Sequence, residues 1–195
     1  MNIRNFRDDL LYEEKHKTDY NKFYENNGFE VCERYDFNTE NGKKAQKADI
    51  DVQIQKDGIK YLVSEKDRSA SYGDVLVEVL HIYDEGEKKR GWIYDTKADL
   101  LSYFTPKCHY FINMKELKDA VDKIYPKIKD KLRYFVKSEK GFEKTGANID
   151  GNWLNLKFTC AKNRGNGRHW RTISLCIDVA DFEHLGVELE KSDIV

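Results

Sequence analysis

No stretch of this chain approaches the roughly eighteen consecutive apolar residues of a membrane-spanning helix. Its opening residues, MNIRNFRDDLLYEEK, lack the apolar core of a signal peptide, so the expectation is a cytoplasmic protein that makes no membrane contact. Cysteine is sparse and scattered. Cys32, Cys108, Cys160 and Cys176 form no C-x-x-C and stand in no paired histidine spacing, which argues against a structural zinc site and reads as free thiols. There is no Walker loop, no G-x-S-x-G and no dinucleotide fingerprint, which removes the common nucleotide-binding and serine-hydrolase classes. Internal repeats and low-complexity tracts are absent too.

What is present is charge. Charged residues make up 35% of the 195 residues, yet 13% are aromatic, which is enough to build a core and to exclude wholesale disorder. The length suits one well-packed domain, or one domain with an appended small lobe, with a single core as the default. The net charge of -1 hides an asymmetry: residues 105–175 hold 16 Lys and Arg against 7 Asp and Glu, leaving 18 against 28 elsewhere. An acidic part that holds cations and a basic part that holds phosphates would produce this balance, as would an ordinary solvated helix face.

The acidic part centres on KADIDVQIQKDGIKYLVSEKDRSASYGDVLVE, Lys47 to Glu78. Ile50, Val52 and Ile54 alternate with Asp49, Asp51 and Gln53, the pattern of a half-buried strand with an acidic face. Lys56-Asp57-Gly58 supplies turn chemistry, and Ile59 to Lys66 returns as a second strand that ends in Glu65-Lys66-Asp67. After Ser71-Tyr72-Gly73-Asp74, the run Val75 to Ile82 is apolar almost all round and predicts a buried helix. Helical spacing places Asp74, Glu78 and His81 on one side of it. Glu78, at its centre, needs a cation or a metal as partner, because an unpaired buried carboxylate costs several kcal/mol.

These residues resemble the PD-(D/E)XK nuclease superfamily, which includes restriction endonucleases and Holliday-junction resolvases, and within it the uncharacterised phage and bacterial members. The resemblance rests on the D-[IV]-D-V strand, the [DS]-E-K strand end and the glutamate that follows, and it covers roughly residues 1–113. A GWI-x-x-x-x-AD-x-L-x-x-F pattern from Gly91 to Phe104 adds to it. The family places an aspartate about a hairpin before acid-x-lysine on one strand face. Asp51 and Lys66 fit that distance, but the acid position is Ser64. The missing carboxylate is then expected from Glu78, or from Glu65 on a bulged strand. The resemblance implies Mg2+ (or Mn2+) held by Asp51, Glu65 and Glu78, with Lys66 assisting the attacking water, Asp49 in reserve, and a first-helix glutamate, Glu14 ahead of Glu13, facing the metal.

Elsewhere, residues 3–28 predict a helix with Phe6, Leu10, Leu11, Tyr20, Phe23 and Tyr24 as its apolar stripe, and Phe29 to Tyr35 an edge strand. Asp36 to Lys47 reads as a flexible loop. Ala98 to Phe104 and Cys108 to Ile112 read as two further strands of one sheet, with Trp92 and Phe104 in the core. Asn113 opens a helix with Glu116 as its capping partner, kinked or broken at Pro126 and lysine-rich beyond it. Gly151 to Cys160 and Trp170 to Val179 predict strands around a loop, 161–169, whose glycines and cations Lys162, Arg164, Arg168 and Arg171 suit phosphate; Trp170 reads as core. A short helix near 180–185 and a poorly ordered tail follow.

The expected fold is α/β (α+β): a restriction-endonuclease-like mixed central sheet flanked by helices over residues 1–136, with a basic β-hairpin extension over 137–195 packed on it. The expected activity is metal-dependent endonucleolytic hydrolysis of duplex or branched DNA, RNA not being excluded, with a homodimer as the superfamily's usual arrangement for cutting two strands. The alternative is a protein of the same fold without chemistry, binding nucleic acid or serving as a phage-encoded inhibitor or interaction module.

Overall fold

The computed structural model describes residues 4–5, 20–36, 38–165 and 167–193. The chain is mixed α and β, with two six-stranded sheets among the described residues, and it divides into two compact units, each assembled from separate stretches. Unit 1 takes Met1–Asp9, Tyr72–Tyr94 and Lys115–Glu188; unit 2 takes Leu10–Ser71, Asp95–Met114 and Leu189–Val195. The division thus does not fall between 136 and 137.

Unit 2 carries the mixed sheet. Its strands are β2 (Glu30–Arg34), β3 (Val52–Lys56), β4 (Ile59–Asp67), β7 (Leu100–Phe104), β8 (Cys108–Asn113) and β12 (Leu189–Asp193), in the order β12-β8-β7-β4-β3-β2. Every neighbouring pair is antiparallel except β4 with β7. The β3–β4 hairpin closes on Asp57 and Gly58, both at positive φ, as the two-residue turn that matches strand twist requires. Residues 20–26 are helical (α1), and Tyr20 and Tyr24 pack with Val52, Ile54, Val63, Phe104 and Phe111. The rest of the predicted first helix lies outside the described residues, apart from Arg4–Asn5. Those two form a strand (β1) beside Asn163 and Arg164, not helix.

The predicted flexible loop before the site is instead a helix, α2 (Glu40–Lys47). Thr39 caps it, its hydroxyl accepting from the Gly42 amide at 2.9 Å. Gly42 is required because a Cβ there would overlap the Asp36 backbone. With one buried apolar side chain, Ala45, the helix has too little stripe to announce itself in the sequence.

Unit 1 is built on the second sheet, ordered β1-β10-β11-β5-β6 with β9 also on β10. Its main strands are β5 (Asp74–Tyr83), β6 (Lys88–Arg90), β9 (Phe142–Ile149), β10 (Asn152–Gly165) and β11 (Arg168–Asp178). The expected Glu78 helix is therefore strand β5. β5 carries apolar residues on both of its faces, none of them exposed, and so reads as a near-continuous apolar run, which periodicity cannot tell from a buried helix. Likewise the expected loop 161–169 is largely strand, since β10 and β11 pair as far as Gly165 and Arg168.

Helix α4 (Met114–Ser138) buries Ile124, Ile128, Leu132 and Phe135, with Phe135 5.3 Å from Phe158 of β10. It runs unbroken through Pro126, which sits on the exposed side of the helix. Glu116 accepts a hydrogen bond from the Glu188 amide at 2.7 Å. The short α3 (Trp92–Asp95) follows β6, and α5 (Phe182–Leu185) ends on left-handed Gly186 as expected. The tail is not loose: β12 pairs along β8 from Leu189 opposite Ile112 to Asp193 opposite Cys108.

Candidate functional site

Two polar clusters meet strand β4 of unit 2, one on each face. On the first face, Asp49 stands in the left-handed region (φ 56°), just after α2 ends, and Asp51 continues the β3 ladder through its amide to the Val63 carbonyl at 2.9 Å. The Lys66 ammonium lies 2.6 Å from Asp49 Oδ1, and the Ser64 hydroxyl donates to Asp49 Oδ2 at 2.8 Å. Asp51 Oδ2 accepts from the Glu65 amide at 2.7 Å, and its Oδ1 accepts from Gln46 Nε2 of α2 at 3.1 Å. Burial pushes the Asp51 carboxyl up from its ordinary range; Lys66 opposes this, while Glu65 and Asp49 push the same way. Asp49 and Lys66 keep 22% and 26% of their side chains exposed, so water reaches the pair.

On the second face, Glu65 is committed elsewhere. Arg34 of β2 grips it with two hydrogen bonds, 2.8 and 3.0 Å, and Tyr24 of α1 donates to it at 2.7 Å. Burial works against the Arg34 charge, but the hydrogen bonds and charge of Glu65 outweigh it, so its pKa rises. Behind Tyr24 the polar chain continues inward. The Tyr24 and Ser102 hydroxyls lie 2.9 Å apart, and Ser102 Oγ is 2.7 Å from His109 Nε2. His109 is fully buried among Phe23, Phe104 and Phe111, and its Nδ1 finds no partner. Burial drops its pKa to about 3.

The expected site residues are thus only partly assembled. Asp51 and Lys66 share a cluster, with Asp49 as the carboxylate directly against the lysine. Glu65 faces Arg34. Glu78 lies on β5 of unit 1, where a one-residue bulge at Val79 brings it to the same side as His81, 3.7 Å away. Asp74, also expected on that side, is buried at the start of β5 and paired with Lys157 at 2.8 Å. Glu14 lies outside the described residues.

The four expected phosphate-binding cations all lie on the β10–β11 ribbon, but not on one face. Lys162 stands opposite Arg171 and Arg164 opposite His169, whereas Arg168 stands opposite Gly165 and alternates to the Trp170 side. Trp170 is half-exposed rather than core. Sequence reasoning missed Gln46, Arg34 and Tyr24, the last two separated from Glu65 by 31 and 41 residues with no local signal to link them. Among the described residues, no group of three or more His, Cys, Asp or Glu side chains is placed to hold a metal ion, and no helix is long and apolar enough to cross a membrane.

No family model, no curated protein and no solved structure matches the chain.

Proposed function

We propose that the Asp49–Asp51–Lys66 cluster is the reaction centre of a metal-assisted phosphodiesterase acting on nucleic acid, with DNA as its first substrate, on a restriction-endonuclease-like version of the mixed sheet. One observation carries this: Lys66 and Ser64 both turn to Asp49, so the acid missing at Ser64 is replaced in space by a carboxylate from the turn between α2 and β3. The cluster then holds two carboxylates and one lysine.

That donor set fits magnesium or manganese. Magnesium commonly takes one or two carboxylates and completes its shell with waters and substrate phosphate, and each carboxylate oxygen here keeps a lone pair beyond its present hydrogen bond. Such an ion, when bound, relieves phosphate charge and makes water more acidic. The chain's own residues do the rest. Gln46 and the Glu65 amide fix the Asp51 carboxylate, while Asp49 holds Lys66 in place. Lys66 offsets phosphate charge and orients the attacking water. Glu65, locked by Arg34 and Tyr24, braces the strand rather than joining the reaction.

The test is cleavage of labelled duplex, branched and single-stranded DNA, and of RNA, with magnesium or manganese against EDTA. Metal-dependent cutting should fall by about 10²–10⁴-fold in Asp49→Asn, Asp51→Asn and Lys66→Ala, with thermal melting confirming that each variant is folded. A second reading has its own observation: both Asp49 oxygens are already engaged by Ser64 and Lys66, as in a closed structural ion pair. Salt-sensitive nucleic-acid binding with no cutting of any substrate would decide for that inactive form.

A further inference from the structure

We infer that the β10–β11 ribbon of unit 1 is a binding surface for an unpaired nucleic-acid strand, its cationic face taking phosphates and the Tyr83–Trp170 pair taking a base. The inference rests on the reading above for the identity of the polyanion, and adds where that polyanion is held and in what form.

The register supplies the first argument. Lys162 is directly opposite Arg171, and Arg164 directly opposite His169, so three cations and a histidine share one face of the β10–β11 strand pair, which β1 and β5 flank in the sheet. Like charges facing one another across a strand pair destabilise it. Among the described residues, Lys162 and Arg164 have no carboxylate ion-pair partner, and Arg171 reaches only the Val136 carbonyl, at 3.4 Å. A ribbon that accumulates uncompensated charge of one sign is relieved by an anion with repeating charge, which a phosphate backbone provides.

The second argument is aromatic. Trp170 is opposite Tyr83 of β5, their rings 6.1 Å apart and tilted by 31°, and Lys89 sits 5.2 Å over the Tyr83 ring. Both rings line a groove of about 480 Å³ together with Lys162, His169 and Arg171; the register sets those three residues on one face of the strands and Trp170 on the other, with Arg168, so the groove runs from one face to the other. Asp84 and Glu139 line it too, so its charge is mixed, and attraction has to come from the ribbon's own cations and from stacking. Half-exposed rings beside cations suit a base whose face is free, and bases in a duplex do not offer theirs.

The experiment is fluorescence anisotropy of a labelled 20-mer, single-stranded and as duplex, with the whole chain in EDTA over a range of salt. The single strand should bind more tightly than the duplex. Lys162→Glu places opposite charges across the ribbon, so melting should hold or rise by about 1–3 °C while affinity falls tenfold or more at about 0.1 M salt and the salt slope drops by about one. Trp170→Leu should weaken the single strand by about fivefold or more, with Trp170→Phe restoring it. Unchanged affinity and slope in Lys162→Glu, no binding by the wild type, or duplex preferred with Trp170→Leu silent would each overturn the inference. Because EDTA suppresses cutting, loss of cleavage with this binding intact would count against the hydrolase alone.

Discussion

Tyr24 Oη lies 2.7 Å from Glu65 Oε1 and 2.9 Å from Ser102 Oγ, and Ser102 Oγ lies 2.7 Å from His109 Nε2, so a buried polar chain leads from the Arg34–Glu65 pair to an imidazole. Burial keeps His109 neutral at pH 7, and its Nδ1 finds no partner among the aromatic rings. The consequence is a pH dependence whose sign can be worked out. An unfolded imidazole takes up its proton near pH 6.5, whereas the native one waits until about 3, so below about 6.5 the unfolded state binds more protons and stability falls as pH falls. Urea unfolding of the wild type between pH 7 and 4.5 should lose of order 1 kcal/mol per pH unit below about pH 6 from this group. His109→Gln should lack that component of the slope.

At the scale of elements, α2 decides where Asp51 points, since Gln46 reaches Asp51 from it. Removing its cap with Thr39→Ala should cost about 1 kcal/mol and lower the melting temperature by about 2–4 °C, read by circular dichroism. This helix also marks where the sequence stopped being legible. Strands β3, β4, β7 and β8 were readable from alternation and turn chemistry, whereas hairpin distance pointed to Asp51 as the partner of Lys66 and the structure sets Asp49, held in reserve, against it. Helix α2 was not readable, because a cap and a glycine contact, rather than an apolar stripe, hold it. β5 misled because apolar residues stand on both of its faces and the bulge at Val79 shifts what alternation is left. Arg34 and Tyr24 left no trace because only the sheet order brings them to Glu65.

For the whole molecule, both units are discontinuous in sequence, so no single cut releases either one intact. A fragment of residues 1–136 would keep β5 but lose β11, its partner from Asp74 to Tyr83, and would lose Phe158, which packs on the end of α4. Its thermal unfolding, followed by near-ultraviolet circular dichroism, should show no cooperative transition matching that of the full chain. Such interleaving makes contacts between distant residues the rule, and folding correspondingly slow for the chain's size.

The sheet of unit 2 ends at β2, five residues whose ladder slips by one at Cys32 and whose side chains Glu30, Cys32 and Glu33 are exposed. That slip breaks the even row of amides and carbonyls another strand would need as a template, and the glutamates set like charges against a second copy. A short, kinked border of this kind works against one copy zipping onto the next through that strand.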